Sequence, residues 1–245
     1  MLKPGMNARL QMRIAIACCV ATLAGSMSSA PLAAAEPSKY PTMAPIEQYR
    51  IASQADEVAL ARSAAPPSIS TDAEVLVLGE RAYQVAAKGK NGFVCIVERS
   101  WASDPGDPEF WNPKERSPNC FNPPAARSVL PTYLERTKWV LAGATDAEIL
   151  RRTKADIASG KIHAPEVGAM CYMMSKDGYL NDSAGGHWHP HLMFYMPRVA
   201  GNPPDWGANL PGSPVLGGDA GLEPAAVYFV PVSKWSDGSP GAANM

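Results

Sequence analysis

The sequence predicts an α+β fold, a mainly antiparallel sheet of about five to six strands with two to three helices packed on one side. Three observations predict it. β-rich runs cluster between Glu74 and Glu98, helix-patterned segments follow between Leu130 and Gly160, and apolar strand-like runs return after Gly168. Strands, then helices, then strands argue against the regular alternation of βαβ units. The pair Asn91-Gly92 lies between two β-rich runs and signals a tight turn. Thr145-Asp-Ala-Glu148 has the form of a capping box, in which Thr145 and Glu148 each satisfy a free backbone donor at a helix start.

In chain order, Lys3, Arg9 and Arg13 precede an apolar stretch from Ile14 to Ala24 and a small-residue site Ala33-Ala34-Ala35. This is the three-part pattern of a secretory signal peptide over residues 1–35, with Glu36 as the new N-terminus. The apolar stretch is too short to span a bilayer. Residues 36–43 read as a flexible leader, residues 44–235 as a single globular domain and residues 236–245 as a frayed tail.

Pro45 to Ala64 reads as a helix, begun by Pro45 and stopped by Pro66-Pro67. Glu74–Leu78, Ala82–Ala87 and Phe93–Glu98 form a meander of three strands, with the KGKNG turn before the third. Ser100 to Ser128 is a long Pro-rich loop carrying Trp101, Phe110 and Trp111. Leu130–Ala142 and the segment from Thr145 to Gly160 are helices, and the second carries Ile149, Leu150, Thr153 and Ile157 on one face. Gly168–Met174, His191–Met196 and Ala226–Val232 are strands, with a Gly/Pro-rich irregular stretch from Arg198 to Pro224.

The whole chain has 22 basic and 23 acidic residues, and loss of residues 1–35 leaves 19 against 23, a net charge of −4. The basic residues form no stripe, so no nucleic-acid partner is expected. An apolar share of 46% supports a packed core rather than disorder. The exported compartment, periplasmic or extracellular, is oxidising, and three cysteines remain there: Cys95, Cys120 and Cys171. The expected bridge is Cys95–Cys120, which closes a loop of about 25 residues and contributes roughly 3 kcal/mol in the chain-entropy model. Its rival is Cys95–Cys171.

Chemistry concentrates in His187-Trp188-His189-Pro190-His191, which holds three of the four histidines. Imidazole binds transition metals and moves protons near neutral pH. On an extended chain His187, His189 and His191 face one way, with neighbours about 6.6 Å apart, close enough for two to share an ion. The outer pair is about 13 Å apart, so a third ligand requires a bend at Pro190 or another residue, His163, Asp182 or Glu166. Zinc with three protein ligands and an open position would activate water for hydrolysis or hydration. Copper is the second metal considered, with Met170, Met173, Met174 and Cys171 as soft ligands. Cys171 as a nucleophile would need an adjacent imidazole.

Local His-x-His pairs also occur in cupins and in α-type carbonic anhydrases. Leu192, Met193 and Phe194 stand where cupins carry a ligating Glu, so neither pattern extends beyond the pair. The alternative to an enzyme is a non-catalytic binding or envelope-interaction module that uses aromatic residues on Pro/Gly-rich loops, with Trp188, Tyr195 and Trp206 as ligand contacts. A small-molecule ligand or an envelope component is the expected partner, with no membrane span after signal removal.

Overall fold

The computed structural model describes residues 38–182, 185–198, 206–217 and 221–241. The signal-peptide pattern, the end of the tail and parts of the Arg198–Pro224 stretch lie outside the described residues. The fold is α+β. Eight strands form one mixed sheet among the described residues: β1 (Glu74–Leu78), β2 (Tyr83–Ala87), β3 (Val94–Glu98), β4 (Ser117–Phe121), β5 (Met170–Met173), β6 (His191–Pro197), β7 (Leu216–Gly217) and β8 (Ala225–Pro231). Their spatial order is β2-β1-β3-β4-β5-β6-β8-β7. Among the described residues five α-helices accompany them: α1 (Gln54–Arg62), α2 (Pro67–Ser70), α3 (Pro123–Ser128), α4 (Leu130–Leu141) and α5 (Asp146–Ala158). No described helix is long and apolar enough to cross a membrane.

The sheet corrects the expectation in three respects. It has more strands, because Ser117–Phe121 pairs along its full length with β3 although Pro118 and Asn119 give it the composition of a loop. All five of its residues are buried. The sheet is also mixed, because β1 and β3 run parallel, with Val75 opposite Cys95. The KGKNG segment therefore does not close a hairpin between β2 and β3. It crosses the end of β1, where Lys90 donates its N–H to the Asp72 carbonyl at 2.9 Å and Asn91 donates its amide to the Ile69 carbonyl at 2.7 Å. Gly89 is required there, since a Cβ would lie 2.1 Å from the Glu74 nitrogen.

Third, helices cover both faces rather than one. Strand alternation sends Val75, Val77, Cys95, Val97 and Cys120 to one face, where they pack with Ala61, Ala64 and Ala65 of α1 and its C-terminal turn. Leu76, Ile96, Phe121, Cys171, Met173 and Tyr195 line the other, under α3 and α4. The same alternation decides the disulfide. Cys95 stands directly opposite Cys120 on the α1 face and is bonded to it. Cys171 stands opposite Phe121, which points to the other face, so it is a free, buried thiol.

The expected first helix is divided. Ile46–Tyr49 makes a single 3-10 turn, and α1 begins afresh where the Ser53 hydroxyl accepts the Asp56 N–H at 3.1 Å. Between them the chain is pulled inward by Tyr49, which is fully buried with Trp101, Phe110, Trp111, Trp139 and Ile149 in a separate cluster. The aromatic residues of the long loop thus seal their own loop. Trp101 donates its indole N–H to Thr137 at 3.0 Å. Helices α4 and α5 occupy the expected segments. The Thr145 hydroxyl accepts the Glu148 N–H at 3.3 Å, but the Glu148 carboxylate turns to Arg152 rather than back to the cap.

Candidate functional site

The His187–His191 segment leads into β6 from a turn that its sequence dictates. Gly185 and Gly186 adopt φ of 67° and 84°, a region that disfavours side chains. A Cβ on Gly186 would lie 2.4 Å from the Tyr179 ring. Trp188 folds back over the turn after β5 and donates its indole N–H to the Ser175 carbonyl at 2.9 Å. Gly178 leaves space for that ring, since a Cβ there would stand 2.6 Å from it.

This arrangement places His187, Trp188 and His189 around one open pocket of about 310 Å³, completed by Lys176 and Trp235. His187 and His189 are exposed, and neither imidazole has a hydrogen-bond partner among the described residues. Lys176 is held at 2.6 Å by Asp237. His191 lies apart from this pocket. It is partly buried, with Nδ1 2.7 Å from the His189 carbonyl and its ring edge-on to Trp188 and Phe229. Burial lowers its pKa, partly offset by that backbone hydrogen bond. Pro190 is buried against Gly241, which redirects the chain between His189 and His191.

The further candidate ligands are engaged elsewhere. Asp182 accepts from Tyr40 at 2.8 Å and Lys114 at 3.0 Å, and also from Lys39 and Tyr179. These donors hold its carboxyl far below the usual range. Glu166 forms a two-pronged pair with Arg127, at 3.1 and 2.6 Å. His163 is exposed, its Nδ1 2.9 Å from the Ala164 carbonyl, and it does not line the His187–His189 pocket. Among the described residues, no three His, Cys, Asp or Glu side chains are grouped to hold a metal ion.

Met173 and Met174 are buried, and Met173 fills the core under α4. The Cys171 thiol is fully buried 3.3 Å from the Tyr195 hydroxyl, and burial pushes its pKa far above the ordinary thiol range. Such a thiol stays protonated and is not an activated nucleophile. Tyr195 is buried on that same side of the sheet and does not line the His187–His189 pocket. Trp206 is 38% exposed and stacks on Tyr228 at 4.9 Å between ring centres.

The sequence reading missed a set of buried polar groups beneath α4. Glu98 and Asn119 are 8% and 1% exposed, yet the Glu98 Oε1 and both Asn119 amide atoms make no hydrogen bond of normal geometry. Burial pushes the Glu98 carboxyl up to about 7, while the neighbouring Asn119 amide and Arg136 guanidinium pull it down. The available signal was period-two placement, since Glu98 falls on the same face as Val94 and Ile96.

Comparison with protein-family models, curated proteins and solved structures found no match for this chain.

Proposed function

We propose that this chain is an exported ligand-binding domain whose ligand occupies the pocket formed by His187, Trp188, His189, Lys176 and Trp235. The observation that supports it is the sharing of one open pocket by two exposed, unengaged imidazoles and two indoles. The indoles offer flat apolar surface, and the imidazoles and the Lys176 ammonium offer polar contacts. That combination suits a small aromatic acid, its ring against indole and its carboxylate toward the imidazoles and the Lys176 ammonium, which Asp237 also holds. Export rests on the N-terminal pattern and on the Cys95–Cys120 bridge, which fits an oxidising compartment.

The zinc hydrolase or hydratase reading ranks second. A catalytic zinc takes three protein ligands and an open position. His187 and His189 supply two, and the described residues bring no third donor to them.

The deciding experiment uses residues 36–245 purified without a His-tag, beside a His187→Ala/His189→Ala double variant. Benzoate and nicotinate are titrated while the indole N–H signals of Trp188 and Trp235 are followed by NMR, and zinc and copper are measured by elemental analysis. Saturable shifts of both indoles, lost in the double variant, are expected. Near-stoichiometric zinc or copper in the wild type, absent from the double variant, would replace this reading with a metal centre. Indole signals unmoved by either acid would reject aromatic-acid binding.

A further inference from the structure

The face beneath α4 carries one diagonal of polar groups through apolar surroundings. Glu98 on β3 pairs with Ser117 and Ile96 pairs with Asn119, so Asn119 is two residues beyond the direct partner of Glu98. The same offset separates Asn119 from Cys171 on β5 and Cys171 from Tyr195 on β6, since Cys120 pairs with Tyr172 and Cys171 with Met193. Diagonal neighbours on one face lie within reach of long side chains. The Cys171–Tyr195 contact at 3.3 Å closes the last step. The unpaired atoms of Glu98 and Asn119 cost stability that an apolar pair would not. Departures of this kind from core packing mark functional constraint.

The diagonal ends at a cavity. Tyr195 lines it together with Thr132 and Tyr133 of α4, Val129 and Val227, and the Gly221–Ala225 segment forms one wall. Its volume is about 70 Å³, room for about five waters at the usual volume of one probe sphere each. The Tyr133 and Thr132 side-chain hydroxyls make no hydrogen bond among the described residues. Burial holds both phenols, Tyr133 and Tyr195, far above their ordinary pKa, so both are neutral donors.

The Gly221–Ala225 wall is pinned from several sides. The Leu222 N–H is donated to Asp104 at 3.0 Å, Glu223 pairs with the buried Arg136, and Arg198 donates to the Gly221 carbonyl at 2.9 Å. Arg136 also donates to the Ala102 and Ser103 carbonyls, each at 2.8 Å, and does not line the cavity. Glu223 at the wall disfavours an anion. The lining is thus two neutral phenols, the Thr132 hydroxyl and aliphatic carbon, together with Ser128, His163 and Glu223.

We infer that this cavity is a second small-molecule site, separate from the His187–His189 pocket, and that it takes a neutral molecule of about four or five heavy atoms bearing one carbonyl or hydroxyl. The Tyr133 and Tyr195 hydroxyls hold the ligand oxygen, Val129 and Val227 hold its carbon, and internal waters link Cys171, Asn119 and Glu98 behind it.

The test is an NMR titration of the full exported chain with acetone, acetamide and isopropanol. Saturable shifts at Tyr133, Tyr195 and Val227 are expected, with intermolecular NOEs from the probe methyls to Val129 and Val227. Tyr195→Phe should weaken binding about five- to tenfold, the worth of one neutral hydrogen bond. Thr132→Leu, a favourable helix substitution that fills the cavity, should abolish it. No saturation at these residues with any probe, or binding unchanged in both variants, would overturn the inference. The wild-type NOEs locate the site even where a variant does not fold. The indole signals of Trp188 and Trp235 report the other pocket, so the two readings fail independently.

Discussion

Arg99 and Glu57 form a buried ion pair. The guanidinium is fully buried 2.9 Å from the carboxylate, and it also donates to the Tyr49 carbonyl at 2.6 Å. The Glu57 carboxylate in turn accepts the Leu78 N–H at 3.0 Å, so one pair ties α1, β1 and the Tyr49 turn together. Removing one partner leaves the other buried and unpaired. Arg99→Ala is expected to lower the unfolding free energy by about 3–5 kcal/mol, measured by urea denaturation. A change under 1 kcal/mol would mean that Glu57 finds water or another donor. Residue identity in the sequence showed Cys95–Cys120 as the natural bridge, yet it did not show which face Cys171 takes. The three histidines were legible as a cluster. Their division was not, because burial of Pro190 and packing of His191 on Phe229 depend on the neighbouring strand.

At the scale of elements, capping and period were reliable where the segment is long and its exposed face polar. Helix α5 shows this: the Thr145 hydroxyl caps it, and Ile149 and Thr153 are fully buried on one face. Thr145→Ala should cost about 1 kcal/mol of stability. Equilibrium denaturation checks the loss, and Thr145→Ser should recover most of it. The capping box was only half right, since Glu148 pairs with Arg152 one turn on. Strand β4 escaped the sequence reading because its composition, Ser-Pro-Asn-Cys-Phe, favours turns. Its strand form is imposed by pairing with β3 on one side and β5 on the other. The Asn91-Gly92 turn was legible as a turn and not as a crossover. The difference lies in Asp72, a residue far from it in sequence, whose carbonyl receives the Lys90 N–H.

For the whole molecule, buried carboxyls set a pH dependence. Burial raises Glu98 from the ordinary 4.5 to about 7 and Glu115 from 4.5 to about 8. The folded state therefore binds their protons more tightly than the unfolded chain. This stabilisation is complete below the unfolded value and is lost as pH rises through the folded values. The upper limit across the window is about 3 kcal/mol for Glu98 and about 5 kcal/mol for Glu115. The urea midpoint is expected to fall between about pH 5 and about pH 8, and the double variant Glu98→Gln/Glu115→Gln should flatten that slope. Asp182 and Asp237, whose carboxyls are held below the usual range, act with the opposite sign and only at more acidic pH. A midpoint constant across the window would show that both carboxyls are hydrated in the folded state.

By itself, the sequence determined the α+β class, the two long helices and their polar faces, most strand segments, the Cys95–Cys120 pair and the place where histidines gather. These follow from local periodicity, caps and composition, which act between residues close in the chain. Tertiary structure alone decided the parallel β1–β3 pairing, the helices on both faces, the separation of His191 from His187 and His189, and the diagonal from Glu98 to Tyr195. Each of these depends on register between strands distant in sequence. A shift of one residue in register exchanges the two faces of a strand, so no local pattern encodes which side chains meet across it.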